Sequence, residues 1–97
     1  MPRFITRVGL RGAKSDDYEK LHDAMEKKRF SRNITSGDGI TYHLPLAEYY
    51  RYGAGPTRRQ VQSDAQEAAA TVWKKCYLLV TDTGESGNIC WDGLQRV

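Results

Sequence analysis

The sequence lacks the motifs by which common enzyme classes bind phosphates or metals. It has no glycine-rich phosphate loop, no HExxH zinc helix, no zinc-knuckle spacing and no GxSxG nucleophile elbow. Its two cysteines, Cys76 and Cys90, are far apart in the chain and lack the CxxC spacing of a zinc or redox site. We therefore expect a protein without a metal site and without a cofactor.

Long apolar runs are also missing. The first ten residues lack the apolar stretch of a signal peptide. No segment approaches the ~20 apolar residues that are needed to cross a bilayer. Two isolated cysteines are ordinarily free thiols in a reducing cytosol. We expect a cytoplasmic protein that does not associate with membranes.

The composition is that of one small folded domain with a modest excess of positive charge. A chain of 97 residues forms one modest core, so we expect residues 1–97 to be a single domain. Lys and Arg outnumber Asp and Glu by 15 to 12, which gives a formal charge of +3. This excess favours an acidic partner such as RNA, while solvated surface charge is the alternative explanation.

Hydrophobic periodicity predicts a strand, a helix and a hairpin in the first half of the chain. Residues 4–11 alternate between two faces, as a half-buried strand does. Apolar side chains then follow at helical spacing from the N-cap candidate Ser15 to about Phe30. Residues 32–35 and 40–44 flank a Ser-Gly-Asp-Gly turn, which is typical of a hairpin.

The second half predicts a helix and two strands. Thr57 and Gln60 form a capping-box signature that opens the second helix, after a glycine-rich break at 53–56. We expect a buried strand at 76–81, a polar turn at 83–88 and a short last strand at 89–94. The order is typical of an α+β, ferredoxin-like βαββαβ sandwich with a short extra C-terminal strand.

One sheet face in that fold carries the first candidate site. In the ferredoxin-like arrangement the first and third strands are central, and both helices cover one face. We expect Phe4, Val8, Leu10, Ile40, Tyr42 and Leu44 to face the helices. The uncovered face would then carry Arg7, Arg11, Thr41 and His43. Such a basic face suits a phosphate backbone, and a second subunit covering it is the alternative.

Two further features of the sequence suit RNA chemistry. RNA cleavage without a metal needs a base for the 2′-hydroxyl and an acid for the leaving oxygen. His43 is the candidate catalytic residue, against the alternative of an ordinary strand histidine. Tyr49, Arg51 and Tyr52 interleave aromatic rings with a cation, as in single-stranded nucleic-acid binders, although tyrosines also occur in strands for packing alone.

Several segments together resemble a known family. They are Phe4-Ile5-Thr6-Arg7-Val8 with Leu10, Ser15-Asp16-Asp17-Tyr18-Glu19-Lys20-Leu21-His22 with Met25, then Phe30, Ile34, Gly39, Tyr42-His43-Leu44-Pro45 and Ala47-Glu48-Tyr49. With these residues the sequence is similar to the family of small bacterial proteins that includes the GhoS antitoxin, and the resemblance covers most of the chain, up to about Val80.

The resemblance implies a fold akin to that of Cas2 proteins. It also implies an antitoxin that acts as an endoribonuclease on the messenger of a small membrane-damaging toxin. Where that family is rich in arginine in the first helix, this chain has Lys20 and His22, which we expect to contact RNA. For His22 the alternative is a structural role at the boundary between helix and sheet. The aspartate that many Cas2 proteins carry after strand one is replaced here by Leu10-Arg11-Gly12, so Cas2-like metal chemistry is not expected.

We therefore predict an RNA-binding, antitoxin-type protein, with or without endoribonuclease activity. The alternative is a non-catalytic, dimeric regulatory module that binds protein or nucleic acid. Small ferredoxin-like domains with tyrosine-rich strand edges favour pairing, so we expect a homodimer.

Overall fold

The computed structural model describes residues 3–52, 56–84 and 89–97 of the chain. Its elements are, in order, β1 (Arg3–Leu10), α1 (Ser15–Lys27), β2 (Asn33–Thr35), β3 (Thr41–His43), β4 (Glu48–Tyr52), α2 (Arg58–Val72) and β5 (Cys76–Gly84). The prediction of an α+β protein is confirmed. Most of the predicted break at 53–56 and most of the predicted turn at 83–88 lie outside the described residues.

The main sheet has three antiparallel strands with β1 in the centre, in the order β4-β1-β5, and β2 and β3 form a separate two-stranded sheet. The alternation of β1 decides which side is buried, because Phe4, Val8 and Leu10 point to the same side and are almost fully enclosed. Both helices pack on that side. The residues of α1 and α2 in this core are Leu21, Met25, Val61, Ala65, Ala68 and Ala69.

The third predicted strand forms but lies in a different place. Residues 41–43 pair with β2 and not with β1, so the predicted pairing of the first and third strands is wrong. Pro45 has no N–H group for a sheet hydrogen bond, and Ala47 adopts the left-handed region at φ 68°. The chain turns there, and β4 occupies the position beside β1, with Tyr49 opposite Thr6.

The C-terminal segment contacts the β2–β3 hairpin. Residues 89–94 form no strand, which corrects the expectation of a short extra one. Instead the N–H of His43 donates to the carbonyl of Gln95 at 2.8 Å, and the N–H of Val97 donates to the carbonyl of Thr41 at 3.0 Å. The tail therefore binds the outer edge of β3.

The two helices begin with different caps. Lys14 and not Ser15 is the N-cap of α1, and its N–H donates to the Asp17 carboxylate at 2.9 Å. The α2 cap is as predicted, because the N–H of Gln60 donates to the Thr57 hydroxyl at 3.2 Å. Helix α1 ends at Lys27, before the predicted Phe30, because Arg29 adopts the left-handed region at φ 69°.

Strand β5 is buried on one side only, which corrects the expectation of a buried strand. Leu78 and Val80 pack against the core, while Tyr77 and Leu79 are 53% and 66% exposed. The cause is that both helices lie on one face of the sheet.

Within the described residues, neither helix is long and apolar enough to span a membrane.

Candidate functional site

The face of the main sheet that the helices leave uncovered is the first candidate site, and we call it the open face. Its residues are Arg3, Ile5, Arg7, Gly9 and Arg11 along and just beyond β1, Glu48, Tyr50 and Tyr52 on β4, and Tyr77, Leu79 and Thr81 on β5. Paired residues of antiparallel strands point to the same side, which is why these residues lie together. The open face therefore combines cations with exposed rings.

Two tyrosines of β4 form an aromatic platform at one end of the open face. The rings of Tyr50 and Tyr52 stack with centroids 5.8 Å apart and planes 24° apart. Tyr52 is 59% exposed, so one side of this pair is available to a ligand. The side chain of Arg3 belongs to the same end, because Arg3 is paired with Tyr52 across the sheet.

A second aromatic group lies at the other end. A Cβ atom at Gly9 would overlap the ring of Tyr77, so the glycine gives this ring its space on the sheet. The guanidinium of Arg11 lies 4.8 Å from the centroid of the Tyr77 ring. An arginine stacked in this way keeps the N–H groups along its edge available for a phosphate.

The positive charges of the open face follow the central strand. Arg3, Arg7 and Arg11 are spaced by four residues, which is roughly 13 Å along an extended chain. Glu48 is paired with Arg7 across the sheet. Neither Arg7 nor Arg11 forms an ion pair within the described residues. Both guanidinium groups are therefore available to an anion.

The second candidate site is a cleft of about 500 Å³ between the end of α1 and the β2–β3 hairpin. We call it the histidine cleft. The polar side chains that line it and bear on its chemistry are those of His22, Glu26, Arg29, Arg32, Asn33 and His43. Both histidines of the chain thus border one space, although 21 residues of sequence separate them.

His22 forms a buried hydrogen bond with Tyr49. Its Nδ1 lies 2.6 Å from the Tyr49 hydroxyl, and both side chains are almost fully enclosed. Burial, with the charge of Arg32 as a smaller cause, lowers the pKa of His22, while burial raises the pKa of Tyr49. The phenol therefore keeps its proton and the imidazole is neutral. In the tautomer that accepts the phenol's hydrogen bond at Nδ1, the imidazole proton is on Nε2, a buried atom with no partner in the described structure.

The lowered pKa of His22 predicts a loss of stability in mild acid. The unfolded chain binds a proton near the ordinary imidazole pKa of 6.5, and the folded chain does so only at lower pH. Below pH 6.5 the unfolded state therefore binds more protons, and the free energy of unfolding falls as the pH is lowered. Thermal unfolding between pH 8 and pH 5 measures this slope. His22→Gln should flatten it; a slope in this variant equal to that of the wild type would contradict the prediction.

The residues predicted to bind RNA lie in several places. Arg7, Arg11 and Tyr52 are all on the open face, with Tyr52 and Arg11 at opposite ends of it. Tyr49 points to the opposite side of the sheet and is 0% exposed, so its ring has no free face for a base. Lys20 is exposed on α1, in a groove between the two helices. The structure thus places three of these residues on one face and the others away from it.

Arg51 also points away from the open face. Its Nη1 lies 2.6 Å from a carboxylate oxygen of Asp64 on α2, and its side chain is 13% exposed. The guanidinium also lies 5.3 Å from the centre of the Phe30 ring. Arg51 therefore joins β4 to the helical layer, and its charge is already paired.

His43, the candidate catalytic residue, lies on the hairpin and not beside Arg7 and Arg11. Its Nδ1 is 3.1 Å from Oδ1 of Asn33, an oxygen that only accepts, so Nδ1 carries the proton and Nε2 is left for a ligand. The residues that sequence reasoning missed at this cleft are Arg29 and Arg32. The residues missed on the open face are Tyr50, Tyr77 and Leu79, which the alternation of β4 and β5 could have identified.

The described residues contain no group of three or more His, Cys, Asp or Glu side chains that could hold a metal ion. Comparisons of the chain with protein-family models, with curated proteins and with solved structures found no match.

Proposed function

We propose that this protein binds single-stranded RNA on the open face, as an antitoxin-type protein. One observation carries the proposal: a stacked tyrosine pair with one exposed ring shares a sheet face with arginines that form no ion pair within the described residues. Bases of single strands stack on aromatic side chains, and cationic grooves follow the backbone. A duplex offers no unstacked base to such a platform, which is why the proposal specifies single strands.

The fold that we propose for this function is the ferredoxin-like sandwich. Three strands in the order β4-β1-β5, with both helices on one face, support it. An isolated bridge between Ser31 and Tyr50 supports it further, because it lies at the sheet edge where a fourth strand would pair with β4. The residues around Ser31, shortly after α1, would then be a shortened edge strand.

The antitoxin role rests on the resemblance to the GhoS-like family, whose substrate class is the messenger of a toxin. For endoribonuclease activity His43 remains our candidate base, because its Nε2 is free and it borders a cleft with two arginines. Since the main sheet does not include His43, a bound strand would have to reach that cleft from the open face.

A non-catalytic dimeric module is the second candidate. It is favoured by Leu79, which is 66% exposed beside Tyr77 on the open face, since a second copy covering this face would bury both. In a homodimer of this kind the open face would be closed to RNA.

The test compares wild-type protein binding to a short fluorescent RNA, first unpaired and then annealed to its complement, by fluorescence anisotropy. We expect tighter binding of the single strand, with affinity that falls as salt rises. A denaturing gel of the same mixtures, with and without EDTA, reports cleavage. Absence of binding at low salt by a protein that elutes as a dimer would contradict the proposal and support the second candidate.

A further inference from the structure

The histidine cleft contains more hydrogen-bond donors than the folded chain uses. Arg29 and Arg32 both border it, and neither forms an ion pair within the described residues. The carboxylate among its lining residues is that of Glu26, so the two guanidinium groups exceed it in charge. An excess of unpaired cationic donors around a concave site favours an anionic ligand.

His22 supplies a further donor in one of its two neutral tautomers. When the Tyr49 hydroxyl donates to Nδ1, the imidazole proton is on Nε2. This atom is buried and has no partner in the described residues, and His22 as a whole is 6% exposed. A buried N–H group without a partner costs free energy, which a ligand that accepts its hydrogen bond would recover.

The hairpin supplies the opposite wall. Oδ1 of Asn33 accepts from Nδ1 of His43, so the amide N–H groups of Asn33 are left to donate. His43 is exposed, and its Nε2 has no protein partner in the described structure. The donors thus come from the end of α1, from the turn that follows it and from β2.

We infer that the histidine cleft binds a phosphate group. A tetrahedral oxyanion accepts hydrogen bonds in several directions at once, which matches the guanidinium groups of two arginines and the amide of Asn33 that line one space of about 500 Å³, with His22 against its wall. If the phosphate belongs to RNA, this inference rests on the proposed function and adds a second contact to it. If the ligand is free phosphate, the inference does not depend on the proposed function.

The location connects the cleft to the open face. A neighbouring groove of about 550 Å³ is lined by Arg3, Tyr50 and Tyr52 of the open face and also by Arg29 and Asn33 of the cleft. A strand that stacks on Tyr52 therefore has a continuous polar path over the edge of β4 to the cleft. The phosphate in the cleft is then the one that follows the stacked bases.

The two histidines make the test direct. The chain has only two, so their imidazole signals in a long-range ¹H–¹⁵N spectrum are assigned with one variant. Inorganic phosphate is titrated into the wild-type protein, with sodium chloride of equal ionic strength as the reference. We expect saturable shifts at His22 Nε2 and at His43, with His22 keeping its tautomer. Shifts that chloride reproduces would overturn the inference.

A matched pair of arginine variants provides the control. Arg32→Gln should weaken phosphate binding by at least about fivefold, because it removes a charged donor of the cleft. Arg59→Gln removes an exposed arginine of α2 and should leave phosphate binding unchanged. Equal weakening in both variants would mean general charge attraction and would overturn the site.

A final arm separates this inference from the proposed function. The labelled RNA, with a 5′-phosphate and then with a 5′-hydroxyl, is added to the wild-type protein in place of phosphate. Histidine shifts with both RNAs assign the ligand to the backbone, and shifts with the first alone assign it to the terminal phosphate. If RNA binds but neither RNA nor phosphate shifts the histidine signals, the phosphate site in the cleft is overturned and the RNA site on the open face is not. If phosphate shifts the histidine signals but RNA does not bind, the RNA site on the open face is overturned and the phosphate site is not.

Discussion

Replacing Arg7 and Arg11 together with alanine should weaken the binding of single-stranded RNA by about 25-fold at 0.1 M salt. The reason is counterion release: each arginine that neutralises a phosphate of a single strand contributes about 0.7 to the slope of log K against log salt. Removing two such contacts lowers the slope by about 1.4, and the affinity difference shrinks to about tenfold at 0.2 M salt. Fluorescence anisotropy at several salt concentrations measures both quantities.

The control for this variant is Lys27→Ala. Lys27 is an exposed cation in the last turn of α1, on the helical side of the sheet. Its loss changes the net charge without touching the open face, so we expect a change in affinity of less than about twofold. Because Arg7 and Arg11 are also exposed, the thermal stability of the double variant should stay close to that of the wild type. An unchanged salt slope in the double variant would show that RNA does not contact these arginines.

Local signals in the sequence were enough to place most elements. The alternation from Phe4 to Leu10 predicted β1 and its buried side, because a half-covered strand must alternate. The Thr57 and Gln60 pair predicted the start of α2, since the cap is a contact between residues three apart. The hairpin of β2 and β3 followed from its glycine turn. Each of these depends on neighbours in the chain.

The strand that pairs with β1 could not be predicted from such local signals. Both residues 40–44 and residues 48–52 have the composition of strands, and pairing with β1 is a contact between distant segments. The turn at Pro45 and Ala47 decides the matter, because it directs the second of these segments to the main sheet. Because residues 40–44 were expected beside β1, His43 was assigned to the main sheet, where it does not lie. The burial of Tyr49 was missed for the same reason.

The candidate sites show the same limit. The shared face of Arg7 and Arg11 could be predicted, because alternation alone gives the side to which each one points, whereas Tyr52 was selected by composition. The bond between His22 and Tyr49 joins positions 27 residues apart, and no spacing rule anticipates it. Arg51 was misplaced for a related reason, since its partner Asp64 is on a separate element. Side chains whose role depends on tertiary contacts are those that the sequence left undetermined.

The measurement that tests the central claim most directly is the RNA affinity of two variants of one residue, Tyr52→Phe and Tyr52→Leu. Tyr52 is 59% exposed and stacks on Tyr50, so its ring is the platform that we propose for a base. Phenylalanine keeps the aromatic face, and leucine keeps an apolar side chain without it.

We expect Tyr52→Phe to bind the single strand within about twofold of the wild type, because the stacking surface is retained. Tyr52→Leu should bind between about fivefold and about 150-fold more weakly, which is the range for the loss of one stacked base. Both variants replace an exposed side chain, so circular dichroism and thermal unfolding should show an intact fold. If the leucine variant binds RNA as tightly as the phenylalanine variant, no base stacks on Tyr52 and the open face is not the RNA site.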